Sequence, residues 1–168
     1  MKIIIAVDDS PSSSELVRTV ASRKWPADVN FKILTVLEPV CVSYADLSIS
    51  EYAQTATEIH ARRKTASRHH CEAIRHKLEE AIPSSSIHYE VREGAPWAEI
   101  VTAAVEWSAD KIMVGEHSRD VCPHNMLGSV SHAVVNQAPC SVEVVSIARH
   151  SKKHEHAAAI LAHDKAKV

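Results

Sequence analysis

The sequence predicts an α/β protein built on an open five-stranded parallel sheet with helices on both faces. Five short apolar segments alternate along the chain with segments of helical composition. The first two, KIIIAVD at residues 2–8 and NFKILTVLEP at residues 30–39, are rich in β-branched residues. KIIIAVD is continuously apolar up to its terminal aspartate, as expected for a strand covered on both sides. Strands that alternate with helices are typical of parallel sheets with crossover helices.

The first helix is predicted between these two strands. Ser12 and Glu15 have the S-x-x-E spacing of a capping box, so the helix is expected to start near them. Pro26 ends it. The second strand stops at Pro39, and residues 40–50 are predicted to form a loop.

A long second helix is predicted over about residues 51–82. Alanine, glutamate, arginine and lysine dominate this segment, which contains no glycine or proline. Steps of three and four residues place one apolar face on it, formed by Ala56, Ile59, Ala66, Ile74 and Leu78. Arg63 and His70 interrupt that face, so we expect parts of the helix to be half-buried.

The second half of the chain repeats the alternation. Residues 86–94 alternate as a third strand, and Pro96 is suited to the first turn of a third helix. A fourth strand at residues 110–116, a short helix at 129–138 capped by Ser129 or a neighbour, and a fifth strand at 141–147 follow in that order. We therefore predict one domain over residues 1–148 and a polar, alanine-rich tail over residues 149–168.

Composition narrows the class of protein. The chain has 168 residues, of which 45% are hydrophobic and 24% charged, and its formal net charge is −2. A nucleic-acid binder usually carries a basic patch, so no nucleic-acid partner is expected. No apolar run approaches the ~20 residues of a membrane span, and the N-terminus lacks the features of a signal peptide. We expect a cytoplasmic protein without a membrane partner.

Cysteines and histidines do not show metal-binding spacing. The four cysteines include no C-x-x-C pair, and none of the twelve histidines falls in a zinc pattern. Reduced thiols are expected in the cytoplasm. We predict no metal site, although a sensor of metal or redox state remains an alternative.

Ligands of such sheets bind beyond the carboxyl ends of the strands, where the strand order reverses. The residues that follow the first four predicted strands are therefore candidates: Asp8, Asp9, Ser10, Glu38, Arg92, Glu93, Gly94 and Gly115.

Two of the three glycines fall in the stretch VGEHSRDVCPHNMLGSVS. Gly115 ends the fourth strand, and Gly128 precedes the last helix, whose Ser129 and Ser131 can cap the helix or bond an anion. A helix N-terminus offers free N–H groups and a partial positive charge that suit phosphate. A plain pair of turns explains the same glycines, so both interpretations stay open here.

The segments IIIAVDDS, VREGAPWAEIV and VGEHSRDVCPHNMLGSVSHAVVNQAPCSVEVV resemble the universal stress protein family, in the same order along residues 2–147. The resemblance implies a Rossmann-like fold related to the adenine nucleotide alpha hydrolases, with strand order 3-2-1-4-5. It also implies a homodimer. An apolar edge strand, Ser141 to Ile147, is expected to pair with its own copy.

The nucleotide-binding branch of the family carries G-x-x-G, nine residues, then G-S or G-T. Gly115, Gly128 and Ser129 fall in that frame, but Ser118 replaces the second glycine. The serine can fit the loop and donate to a phosphate, or it can mark a branch that has lost the nucleotide. We expect Ser118 to decide how well a nucleotide is held.

Residue by residue, the resemblance implies a nucleotide site. Asp8 matches the contact to ribose and adenine, and Val36 matches the adenine-side position. The strand-four loop and the phosphate-binding helix start are matched by Val114, Gly115, His117, Ser118, Gly128, Ser129, Val130 and Ser131. Other interpretations of single residues are a helix cap for Asp8, plain core for Val36 and an exposed loop position for His117.

Binding is favoured over catalysis. The chain has no G-x-x-x-x-G-K-[ST] motif and no recognisable nucleophile motif. We predict a regulatory stress-response protein that binds ATP or a related adenine nucleotide, with or without Mg²⁺ held near Asp8 and Asp9. Hydrolysis, if any, is expected to be slow and incidental. The alternative is a dimeric interaction protein of the same fold that binds no nucleotide.

Overall fold

The computed structural model of the chain describes residues 1–39, 49–116 and 127–146, and for residues 49–53 it describes the backbone alone. His117, Ser118 and the predicted tail over residues 149–168 lie outside these ranges.

Five strands and four helices alternate along the described residues. In chain order they are β1 Lys2–Ala6, α1 Pro11–Ser22, β2 Asn30–Leu37, α2 Ile49–Ala81, β3 Ser86–Glu93, α3 Pro96–Trp107, β4 Lys111–Gly115, α4 Ser129–Gln137 and β5 Ser141–Val145.

The sheet has the predicted architecture. All four strand pairs are parallel, and the order is β3-β2-β1-β4-β5. Because β1 is central, Ile3 pairs with Phe31 of β2 on one side and with Lys111 of β4 on the other. The predicted fold class and strand order are confirmed.

Both faces of the sheet are covered, which explains the continuous apolar run of β1. Ile3 and Ile5 point into a core shared with residues of α1 and α2, among them Leu16 and Leu78. Ile4 points the other way, into a core shared with α3 and α4. All three isoleucines are fully buried, so both faces of β1 contribute hydrophobic stabilisation.

The predicted capping box of α1 is wrong. The N-cap is Ser10, whose Oγ accepts a 3.3 Å hydrogen bond from the Ser13 amide, and Pro11 occupies the first helical position. Ser12 is buried, and Glu15 pairs with Arg18 at 2.6 Å instead of reaching back to the cap. Proline at the first position fixes φ near its helical value, so the helix starts there.

Several predicted boundaries also shift. Strand β1 ends at Ala6 and β2 at Leu37, so Asp8 lies in a turn rather than at a strand end. Helix α2 begins at Ile49, two residues before its predicted start. The cap of α4 is Gly128, the neighbour of Ser129 and thus within the predicted position, and Pro96 occupies the first turn of α3 as predicted.

The predicted apolar face of α2 is buried only in its C-terminal half. Cys71, Ile74 and Leu78 pack into the core, whereas Ile59 is 37% exposed.

Within the described ranges, no helix combines the length and apolarity needed to cross a membrane.

Candidate functional site

A cleft of about 720 Å³ opens at the carboxyl edge of the sheet. It lies beyond the ends of β1, β2 and β4, where the chain switches from one side of β1 to the other, as the topology predicts. The starts of α1, α3 and α4 and one stripe of α2 complete its walls.

Asp8 is the centre of a hydrogen-bond network at the base of the cleft. Its Oδ1 accepts from the Ser10 amide at 3.1 Å, from Ser10 Oγ at 2.5 Å and from Ser13 Oγ at 2.6 Å. The Asp8 amide donates in return to Ser13 Oγ at 2.9 Å. The turn between β1 and α1 is therefore fixed by one carboxylate oxygen and two serine hydroxyls.

This network supports the interpretation of Asp8 as a turn and cap residue. It also leaves the second carboxylate oxygen for a contact with a ligand. Every hydrogen bond that Asp8 accepts from a described residue goes to Oδ1. The half-buried carboxylate lines the cleft, so Oδ2 can accept from hydroxyl groups of a bound molecule. A carboxylate already held by three donors is pre-oriented for that contact.

Gly115 is required by packing. A Cβ atom at this position would lie 2.8 Å from Ser12 Cβ and 3.3 Å from the Ser12 carbonyl carbon. The end of β4 therefore approaches the first turn of α1 at backbone distance. This contact explains the first glycine of the stretch independently of any phosphate.

The N-terminus of α4 faces the same cleft. Its cap is Gly128, with φ −59° and ψ 152°, and no side chain of the described residues caps the first amides. The Gly128 amide donates to the Glu116 carbonyl at 2.9 Å, and Ser131 Oγ donates to the Gly115 carbonyl at 2.6 Å. These bonds hold the helix start beside the end of β4, and the first N–H groups of a helix suit an anion.

The structure brings together most of the predicted site residues that it describes. Those that line the cleft are Asp8, Val36, Val114, Gly115, Gly128, Val130 and Ser131. Ser129 is exposed and does not line it. Val114 is only 3% exposed and is packed in the α3 and α4 core, so most of its surface has a core role. His117 and Ser118 fall outside the described residues.

The candidate residues at the end of the third strand, Arg92, Glu93 and Gly94, lie outside the cleft. Arg92 forms ion pairs with Glu90 at 2.7 Å and with Glu106 at 2.5 Å on the α3 side of the sheet. Glu93 accepts from Lys64 at 2.8 Å, and this hydrogen bond lowers the pKa of the Glu93 carboxyl, with a further contribution from His60.

One wall of the cleft was missed by sequence reasoning. Arg63, Ala66, Ser67 and His70 of α2 line it, and Arg63 donates from Nη1 to the Glu38 carbonyl at 2.9 Å. The available signal was the interruption of the apolar face by Arg63 and His70. Positions separated by three, four and seven residues share one side of a helix, so this interruption marks a polar stripe.

The described residues give no support to a metal or redox sensor. No group of three histidine, cysteine, aspartate or glutamate side chains in them is arranged to hold a metal ion. Burial raises the pKa of the Cys71 thiol, although a hydrogen bond with Thr35 opposes this. Burial and the Asp110 carboxylate raise the pKa of the Cys140 thiol. Thiols with raised pKa values are poor nucleophiles at neutral pH.

Comparison with solved structures places the fold. The hypothetical protein MJ0577 superposes with a TM-score of 0.74 at 21% identity, covering 88% of this chain and 96% of that one. A universal stress protein family protein from Arabidopsis thaliana with AMP bound gives 0.58 at 16% identity, over 89% and 93%. The universal stress protein from Archaeoglobus fulgidus in complex with dAMP gives 0.53 at 19% identity, over 86% and 97%.

Sequence comparison identifies the family. A universal stress protein from Methanothermobacter thermautotrophicus is 43% identical over 63 residues, which span 38% of this chain and 42% of that protein. The model of the universal stress protein family matches residues 1–146, which include every described strand and helix. The chain is therefore a member of the universal stress protein family.

Proposed function

We propose that this protein binds ATP or a related adenine nucleotide and acts as a regulatory, stress-response protein of the cytoplasm rather than as a catalyst. One observation carries the proposal: the N-terminus of α4, which no side chain of the described residues caps, faces the same cleft as a pre-oriented carboxylate, Asp8. The first group suits phosphate and the second suits ribose hydroxyls.

The proposed ligand runs across the ends of three strands. Its phosphates contact the amides at the start of α4, near Gly128 and Ser131. Its ribose contacts Asp8 Oδ2, and its base extends toward Val36 on β2. The binding of AMP and dAMP by the solved relatives supports an adenine nucleotide at this edge. Mg²⁺ would accompany ATP near Asp8 and Asp9, since hard cations prefer carboxylate and phosphate oxygens.

A catalytic role has little support in the cleft. Ser10 and Ser13 donate their hydroxyl protons to Asp8, so both are engaged in fixing the turn. His70 is the histidine among the described lining residues, and it forms no hydrogen bond with either serine. Because the described lining residues include no activated nucleophile, nucleotide hydrolysis would be slow and incidental.

Titration calorimetry of ligand-free protein with Mg-ATP and AMP tests the proposal, together with mass spectrometry of any ligand released from the purified protein. We expect saturable heat and a thermal shift. Absence of both at millimolar nucleotide would overturn nucleotide binding.

The alternative is a dimeric interaction protein of the same fold without a nucleotide. The Ser131 hydroxyl favours it in one respect, since it already donates to the Gly115 carbonyl rather than being free to donate to a phosphate. Ser118 in place of the family's glycine points the same way. The exposed edge of the sheet at β5 offers the dimer contact under either function.

A further inference from the structure

Arg63 is the guanidinium that α2 contributes to the cleft. Its Nη1 donates to the carbonyl oxygen of Glu38, directly beyond β2, at 2.9 Å. The residue is half-buried, and it forms no ion pair with a carboxylate of the described residues. A guanidinium has five N–H donors, and the one bond to a described residue, to the Glu38 carbonyl, uses one of them.

The surroundings of Arg63 suit a flat group. Ala66 and Ser67, three and four residues further along, place two small side chains beside it on the cleft wall. His70 follows about two turns away, roughly 10 Å along the helix axis. A guanidinium is planar and weakly hydrated, and it stacks on aromatic rings. The planar side chains of Arg63 and His70 therefore lie on either side of a shallow part of the cleft wall, formed by Ala66 and Ser67.

The sheet order decides which end of a nucleotide reaches this surface. Strand β1 lies between β2 and β4. The end of β2, where Arg63 bonds to Glu38, is therefore two strand spacings, roughly 10 Å, from the end of β4, where α4 starts. Base and phosphate lie at opposite ends of a nucleotide. With the phosphates at α4, the base lies on the β2 side, against α2.

We propose that Arg63 binds the purine base through the flat face of its guanidinium. The inference rests on the proposed nucleotide-binding function. The Glu38 carbonyl holds the guanidinium in place, which limits the conformational entropy lost when the base packs against it.

Titration calorimetry with adenosine, AMP and Mg-ATP tests this role in four proteins: the wild type, Arg63→Met, Arg63→Lys and the control Arg68→Met. Arg68 is exposed on the same helix and does not line the cleft. We expect Arg63→Met to weaken all three ligands by the same factor, about five- to tenfold. Arg63→Lys should restore little, because lysine keeps the charge but has no flat face, and Arg68→Met should leave all three affinities unchanged.

Three outcomes would overturn the inference. A loss that grows from adenosine to AMP to ATP would assign Arg63 to the phosphates. Full rescue by Arg63→Lys would show that charge alone matters. Wild-type affinity in a folded Arg63→Met protein, checked by thermal melting, would show that Arg63 only ties α2 to β2. Absence of binding to wild-type protein would remove the proposed function itself, an outcome distinct from these three.

Discussion

Gly115 and Ser12 approach so closely that a Cβ on the glycine would lie 2.8 Å from the Cβ of the serine. The end of β4 and the first turn of α1 are thus in contact through their backbones. The contact leaves no room for a methyl group. A side chain at position 115 is therefore expected to destabilise the fold, whether or not a ligand binds there.

Gly115→Ala should lower the free energy of unfolding by about 1–3 kcal/mol, the usual cost of overpacking. Urea denaturation would measure it. The double variant with Ser12→Gly removes the nearest atom and should show a favourable coupling free energy between the two positions. Unchanged stability in Gly115→Ala would contradict the packing role.

Asp8 has separable contributions to stability and to binding. Asp8→Asn keeps an acceptor at the Oδ1 position and should retain most of the stability, whereas Asp8→Ala leaves two serine hydroxyls without their acceptor and should cost about 1–2 kcal/mol. Both variants should weaken nucleotide binding about tenfold, because a hydrogen bond from ribose to a charged carboxylate is lost. Chemical denaturation and calorimetry measure the two effects, and wild-type affinity in Asp8→Asn would exclude a ligand contact.

Gly128→Val should abolish nucleotide binding. The φ and ψ of Gly128 are accessible to other residues, so the variant is expected to fold at a cost of about 1 kcal/mol for the poorer cap. A branched side chain at the helix start would obstruct the approach of phosphates to the α4 amides. Calorimetry with Mg-ATP, after circular dichroism has shown a folded protein, is the measurement. Unchanged affinity would show that Gly115 and Gly128 serve the fold alone and do not contribute to a phosphate site.

Glu143 should make stability depend on pH. Its hydrogen bond with Arg23, at 2.5 Å, lowers the pKa of the carboxyl, burial opposes this, and Lys111 at 3.2 Å lowers it further. A carboxyl with a depressed folded-state pKa stabilises the protein above its unfolded value of about 4.3. That contribution disappears as the pH falls through the folded pKa.

The measurement is the free energy of unfolding of wild type and Glu143→Gln between pH 7 and pH 3. The wild type should be more stable by roughly 0.5–1 kcal/mol at neutral pH, since a partly exposed ion pair is screened. The difference should vanish in acid. A constant difference across the range would exclude the ion pairs as its cause.

The proposed dimer through β5 has a sharp test. The Glu116 amide donates to the Val145 carbonyl at 2.9 Å, so alternation along a parallel ladder directs the N–H of Val144 to the free edge. Val144→Pro removes that donor without removing a bond to β4, and it should give a monomer by light scattering at micromolar concentration. A folded dimer in Val144→Pro would contradict pairing through this edge, as would a monomeric wild type.

The fold could be predicted from the sequence because its strands carry clear apolar patterns. The three central isoleucines of β1 are buried on both faces, and that burial requires a continuous apolar run. Gly115 at the end of β4 and Asp8 just beyond β1 were found because the ends of parallel strands meet at one edge of the sheet. The cap of α1 was misplaced because SPSSSE, residues 10–15, offers four serines, and the S-x-x-E spacing favoured Ser12 over the true cap, Ser10. Arg63 was missed because it reaches the cleft through the docking of α2 on β2; the interruption of the apolar face marked a polar stripe but could not show which strand end the stripe would face.

The central position of β1 has a consequence for synthesis on the ribosome. Ile3 pairs with Phe31 early but with Lys111 only after more than half of the chain has been made. At about 5–20 residues per second, this delay of about 80 residues lasts roughly 4–16 seconds. During that time the β2-β1 pair, joined by β3 only toward the end of the delay, presents an unpaired edge at β1, which is a template for wrong pairing. Translation speed and chaperone access over residues 94–115 should therefore influence the yield of folded protein.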